Sequence, residues 1–220
     1  KMDGKNYVKK ILSTYNESVY RYLACHPIAH MPQIFKVYRG DRYLVVVEEY
    51  IEGSSLSEYL KEGTFEPFEA ARIVRDLCCI LNELHTLECP IIHRDIKPSN
   101  VMLTKSGEVV LLDMNVAKWY DSEEKEDTRL LGTKDYAAPE QAGYGMKASS
   151  DKTDIYAVGI LLNVMLTGKL PKEKPAQGKL WDIIERCISL DADTRYSADE
   201  LIERLDNYLG ENTNAGKKDR

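Results

Sequence analysis

The feature that most constrains this chain is the run His93-Arg94-Asp95-Ile96-Lys97-Pro98-Ser99-Asn100, set between a helical pattern and a hairpin pattern. Upstream, Ile73, Leu77, Ile80, Leu81 and Leu84 recur at spacings of three and four, so residues 67–85 predict a helix with one buried face. Downstream, residues 101–103 and 108–112 predict two strands joined by Thr104-Lys105-Ser106-Gly107, and the second strand leads directly into Asp113. The loop between helix and hairpin carries a carboxylate, an ammonium group and a carboxamide. Regular elements pin it at both ends, and a second carboxylate waits at the end of the following strand.

The rest of the chain falls into two parts of different character. Ahead of the helix, Asp3-Gly4-Lys5 reads as a turn into a strand over 7–12, residues 13–25 as a helix ending at His26-Pro27, and 33–38 and 43–48 as strands around Arg39-Gly40-Asp41. Gly53-Ser54 breaks this pattern, and Ser55 with Glu58 forms a capping box for a short helix over 56–60. Beyond the hairpin, the polar stretch 122–129 predicts a surface loop, and 154–166, 180–189 and 198–208 predict helices, with Gly210 as the last stop. The fold class is therefore α+β. A small sheet with one helix spans 1–52, a larger mainly helical body spans 53–210, and 211–220 form a disordered tail.

Composition excludes several functions. With 220 residues, 43% of them hydrophobic, the chain can bury a sizeable core. A net charge of −6 with scattered basic residues argues against nucleic acid and anionic membranes as partners. The longest apolar runs, such as 157–166, fall short of the roughly 20 residues needed to cross a bilayer, and no charged segment leads into an apolar leader, so a cytoplasmic protein is expected. Five cysteines, odd in number and without C-x-x-C spacing, predict neither disulfides nor a zinc site. Cys78 and Cys79 read as small buried hydrophobes.

In this setting, the run from His93 to Asn100 resembles the H-R-D-x-K-x-x-N catalytic loop of the protein-kinase family. There a carboxylate accepts or orients the proton of an attacking hydroxyl, a cation offsets developing phosphate charge, and an amide oxygen takes Mg2+. The resemblance gives these parts to Asp95, Lys97 and Asn100. A Lys two residues after the Asp resembles the Ser/Thr kinases, which implies a Ser or Thr acceptor. Asp113 stands where the family places its second Mg2+ ligand, although the usual Asp-Phe-Gly here reads Asp113-Met114-Asn115. Met is an adaptable apolar filler and Asn tolerates positive φ, so the turn is expected to survive.

Further motifs extend the resemblance over about residues 7–210. Gly132-Thr133-Lys134-Asp135-Tyr136-Ala137-Ala138-Pro139-Glu140 resembles the end of the kinase activation segment, and Asp154-Ile155-Tyr156-Ala157-Val158-Gly159 the start of the central helix. Arg195 stands where the family pairs a cation with Glu140, which implies a buried anchoring ion pair. The stretch from Gly168 to Trp181 is shorter than usual, so a substrate-docking helix is expected to be reduced or absent. Arg94, ahead of Asp95, implies that phosphate on Thr128, or less favourably Ser122, orders the activation segment. The wording from Asp127 to Gln141 is similar to bacterial members.

In the small lobe, the family holds the ATP phosphates with a strand Lys paired to a helix Glu. Glu17 matches the helix position; Lys9 and Lys10 compete for the strand position. Lys10 is preferred because alternation then aims Val8, rather than Tyr7, at the nucleotide. Residues 43–53 resemble the last strand and the hinge, with Glu49 and Ile51 meeting the adenine edge and Met102 beneath the ring. Glu48 falls at the position guarding the back of the pocket, where a charge must be paired or hydrated.

No G-x-G-x-x-G stands ahead of Val8, Gly4 being the one glycine there, so the two strands that carry that loop are expected to be absent. Those strands lay backbone N–H groups over the phosphates, and without them ATP binding is expected to weaken and transfer to slow. Three readings stay open: an enzyme using ATP and Mg2+ on Ser or Thr of a protein substrate, a kinase-like binding or scaffold module, and a piece of a longer kinase. The exposed sheet edge predicts self-association.

Overall fold

The structure is a computed structural model that describes residues 6–120, 132–142 and 149–215. In the small lobe β1 (Tyr7–Leu12), α1 (Glu17–Cys25), β2 (Ile34–Arg39) and β3 (Leu44–Glu49) follow one another, and the strands form an antiparallel sheet in the order β1-β3-β2. The register pairs Val8 with Glu48, Lys10 with Val46 and Leu12 with Leu44, and on β3 Leu44, Val46 and Glu48 are the buried row. Alternation thus sends Val8, Lys10 and Leu12 to the inner face, and Lys9 and Ile11 to the exposed one. The helix expected from residue 13 begins at Glu17, because the Asn16 side chain caps it, accepting from Val19 N. It packs Val19, Tyr20 and Leu23 against the sheet.

The body begins with β4 (Gly53–Ser55), α2 (Leu56–Glu62), α3 (Pro67–His85), β5 (Ile91–Ile92), β6 (Val101–Thr104) and β7 (Val109–Leu111). The expected break at Gly53-Ser54 is instead the short strand β4, paired with β6. It needs glycine, since a Cβ on Gly53 would lie 2.2 Å from the Leu103 carbonyl oxygen. Both bonds of the Ser55–Glu58 capping box are made, at 3.3 Å and 2.7 Å. The amphipathic helix α3 runs over the predicted residues, opening on Pro67. The two-residue strand β5 pairs with β8 (Lys118–Trp119); strands this short carry no periodicity to read.

Three helices complete the body: α4 (Asp151–Thr167), α5 (Lys179–Cys187) and α6 (Ala198–Ala215). The central helix α4 buries side chains on nearly every side, among them the polar Thr153, Asp154 and Asn163. Asn163 bonds the carbonyls of Lys169 and Lys174 and the amide of Ala176, holding a turning segment in which residues 168–178 form no helix. No helix forms between α4 and α5 in this short stretch. The stop expected at Gly210 is not used. Helix α6 continues to Ala215, into the stretch expected to be disordered, and Glu211 pairs with Lys179. A helical glycine costs only about 1 kcal/mol, and nothing crowds Gly210. Residues 216–220 and 122–129, with Thr128 and Ser122, lie outside the described residues.

Candidate active site

The catalytic-loop run is held from beneath by one buried carboxylate. Asp154 of α4 accepts from the backbone amides of His93 at 2.9 Å and Arg94 at 2.7 Å, and bonds His85 Nε2 at 2.8 Å. Burial acts to raise the Asp154 pKa, but the hydrogen bond and charge of His85, with His93 and the Arg94 amide, outweigh it and hold the group below the usual carboxylate value. These bonds fix Arg94 in left-handed backbone, φ 70°, a conformation that costs a non-glycine residue about 1–3 kcal/mol. Gly132, at φ 106°, lies against the same peptide, where a Cβ would come within 2.7 Å of the Arg94 oxygen. Gln141 donates to that oxygen at 2.9 Å.

Asp95 emerges from this frame with both carboxylate oxygens engaged. Oδ1 accepts from the Thr133 amide at 2.9 Å and the Thr133 hydroxyl at 2.8 Å; Oδ2 accepts from Asn100 Nδ2 at 3.0 Å and pairs with Lys97 Nζ at 2.7 Å. Lys97 also donates to the Thr133 hydroxyl at 2.8 Å. Thr133 therefore belongs to the site. Its position in the Gly132-to-Glu140 motif signalled a segment, but not that its side chain reaches Asp95. The loop and the second carboxylate are tied together through Leu112. Its amide donates to the Asn100 oxygen at 2.8 Å, and its own oxygen bonds His93 Nε2 at 2.9 Å. The Asp95 amide donates to His93 Nδ1, so the neutral ring with its proton on Nε2 satisfies both contacts.

Asp113 follows Leu112, and the structure brings it to Lys10, whose Nζ lies 3.7 Å from Asp113 Oδ1. That distance allows Coulomb attraction but no hydrogen bond, and Asp113 Oδ1 is buried without a hydrogen-bond partner. An orphaned carboxylate oxygen is the kind of donor that suits a hard cation, and Asn100, with its carboxamide nitrogen committed to Asp95, has only its side-chain oxygen left to offer one. The positive φ expected at Asn115 falls at Asp113 instead, φ 69°. Asn115 accepts a 2.7 Å bond from the buried Tyr20 hydroxyl, which burial, together with the charges of Asp113 and Glu48, keeps protonated. Met114 is buried as a filler.

The small-lobe ion pair differs from expectation. Lys10, not the exposed Lys9, enters the cleft, but it pairs with Glu48 at 2.7 Å. Glu17 is not its partner: its oxygens bond Arg21 at 2.8 Å and Arg39 at 3.1 Å. Because Asn16 starts the helix so late, Glu17 occupies its first position and faces the end of β2 rather than the inner face of β1. Of the expected nucleotide contacts, Val8 is half-buried opposite Glu48, Met102 half-buried on β6, and Ile51 half-buried between β3 and β4. Glu49 ends β3 exposed, its amide bonded to the Gln33 oxygen at 2.9 Å.

The segment after Gly132 is anchored as expected. Glu140 and Arg195 make two bonds, at 2.8 Å and 3.0 Å, with Arg195 1% exposed and Thr153 donating to the same carboxylate. Protein families with this constellation can be compared directly. A family model described as the protein kinase domain matches residues 5–180. The chain belongs to the protein kinase family. Members use ATP, typically with a divalent metal. The chain is similar to the serine/threonine-protein kinase PrkC of Bacillus subtilis, 35% identical over 145 residues that make up 64% of this chain and 22% of that protein. It is 35% identical to serine/threonine-protein kinase A of Synechocystis over 136 residues, 57% of this chain and 26% of that one. The Arabidopsis thaliana kinase PEPKR2 is 29% identical over 199 residues, 87% of this chain and 40% of its own length. The chain thus spans well under half of these relatives. Among the described residues, no helix is long and apolar enough to cross a membrane.

Proposed function

We propose that this chain transfers the γ-phosphoryl group of ATP to a Ser or Thr hydroxyl of a protein substrate, with Mg2+. The observation that carries this reading is the four-bonded Asp95, set by Thr133, Asn100 and Lys97 on a loop whose backbone also holds the residue before Asp113. Asp95 orients the acceptor hydroxyl and takes up its proton. Its four lone-pair positions are filled, so one donor has to give way. Lys97 is that donor: its side chain is flexible and 24% exposed, and on leaving Asp95 its ammonium faces the charge developing on the transferred phosphoryl group. Asn100 and Asp113 are the residues that would hold Mg2+, which when bound offsets charge on the phosphates. Lys10 binds the α- and β-phosphates, Val8 and Met102 sandwich the adenine, and backbone groups of Glu49 and Ile51 meet its edge.

The alternative, a scaffold without transfer, is less favoured by a chain that carries all four side-chain types the chemistry needs, Asp95, Lys97, Asn100 and Asp113. The test is transfer of radiolabelled phosphate from ATP to a generic protein acceptor. Asp95→Asn keeps the shape but cannot take the proton, and is expected to lower kcat by about 10²–10⁴-fold. Equal transfer by the two proteins would remove the basis for this reading.

A further inference from the structure

We propose that Glu48, on the central strand β3, is the positioning residue for Lys10, so that the phosphate-binding cation is set by the sheet and not by where helix α1 lies. This deepens, and rests on, the phosphotransfer reading. In this family such a lysine is expected to be steadied from the helix, yet here Glu17 is committed to Arg21 and Arg39. The sheet supplies the replacement directly. Val8 is opposite Glu48 and Lys10 opposite Val46, so Lys10 and Glu48 are diagonal neighbours on one face of paired strands, within reach of long side chains. The resulting contact is 2.7 Å.

The surroundings leave Glu48 little choice of partner. It is 6% exposed and lines a cavity of about 20 Å³ with Tyr20, Leu23, Ile34, Asp113 and Met114. A carboxylate there has to be paired. Among the groups facing it, the Tyr20 hydroxyl is spent on Asn115 and Asp113 carries like charge, which leaves Lys10 as the cation in contact. Burial pushes the Glu48 pKa up, and the charge and hydrogen bond of Lys10 oppose that shift without cancelling it. Held from Glu48 on one side, Lys10 still stands 3.7 Å from Asp113, between the strand and the carboxylate that ends the hairpin. Because β3 is the middle strand, the backbone that carries the carboxylate is hydrogen-bonded along both edges.

The experiment compares Glu48→Gln, Glu48→Met and Glu17→Gln, reading both the Kd for a non-hydrolysable ATP analogue with Mg2+ by calorimetry and the steady-state kcat and KM for ATP. Glu48→Gln, close to isosteric, is expected to weaken analogue binding and raise KM by about tenfold, about 1.4 kcal/mol. Glu48→Met is expected to lose at least as much. If Glu48 only filled space, Met, of similar volume, would bind nucleotide as well as the wild type. Glu17→Gln is expected to stay within about twofold in every parameter. Unchanged Kd in both Glu48 variants, or a larger loss in Glu17→Gln than in Glu48→Gln, overturns the proposal. A wild type that binds the analogue but transfers no phosphate overturns the phosphotransfer reading alone, because the affinities still report on Glu48.

Discussion

Two ion pairs, one in each lobe, show how differently this molecule uses charge. Glu140–Arg195 is bidentate, sealed from water and further bonded to Thr153 and to backbone oxygens. Lys10–Glu48 is a single contact whose cation is 21% exposed and already leans toward a second carboxylate. The first can do nothing but hold the segment after Gly132 against the body. The second leaves its lysine with hydrogen-bonding capacity toward the cleft. Charge that is fully satisfied makes architecture, whereas charge that is partly satisfied is available for binding.

The largest expected effect on stability tests the sealed pair. Arg195→Ala leaves Glu140 buried without its cation and is expected to cost about 3–5 kcal/mol, read as a lower urea midpoint at unchanged slope. A loss below about 1 kcal/mol would make the two pairs alike and end the contrast.

An intermediate effect comes from Asp154, whose lowered pKa makes it a second satisfied charge in the body. A carboxylate with a depressed native pKa contributes stability that is present above its unfolded value of about 4 and is lost as pH falls through the lower native value. Urea unfolding followed from pH 7 down to about pH 3 is expected to show this acid-side loss, and Asp154→Asn to flatten it. A slope unchanged in the variant would remove Asp154 as its source. The smallest effect sharpens the comparison from the other side. Arg39 is 70% exposed where it meets Glu17, so Arg39→Ala is expected to change stability by no more than about 0.5 kcal/mol.

Much of the body was legible because its signals are local or long. Helix α3 could be placed from five apolar residues recurring at spacings of three and four, and Ser55 with Glu58 announced the cap that both bonds confirm. The Glu140–Arg195 pair was legible through motif resemblance, and its two ends meet as implied. The small lobe was legible as strands but not as contacts. One polar residue, Asn16, moved the helix start and with it Glu17. Thr133 was passed over because nothing in its neighbours reveals that residues far apart in sequence, 95 and 133, bond each other.

By itself the sequence determined the longer elements, the inward faces of the small-lobe strands and the residue types of the loop from His93 to Asn100, because side-chain period and residue type act within a few positions. Which carboxylate would meet Lys10 was decided only by tertiary structure. Strand register sets that distance to within a hydrogen bond, and a helix that starts a few residues late turns its glutamate toward other arginines.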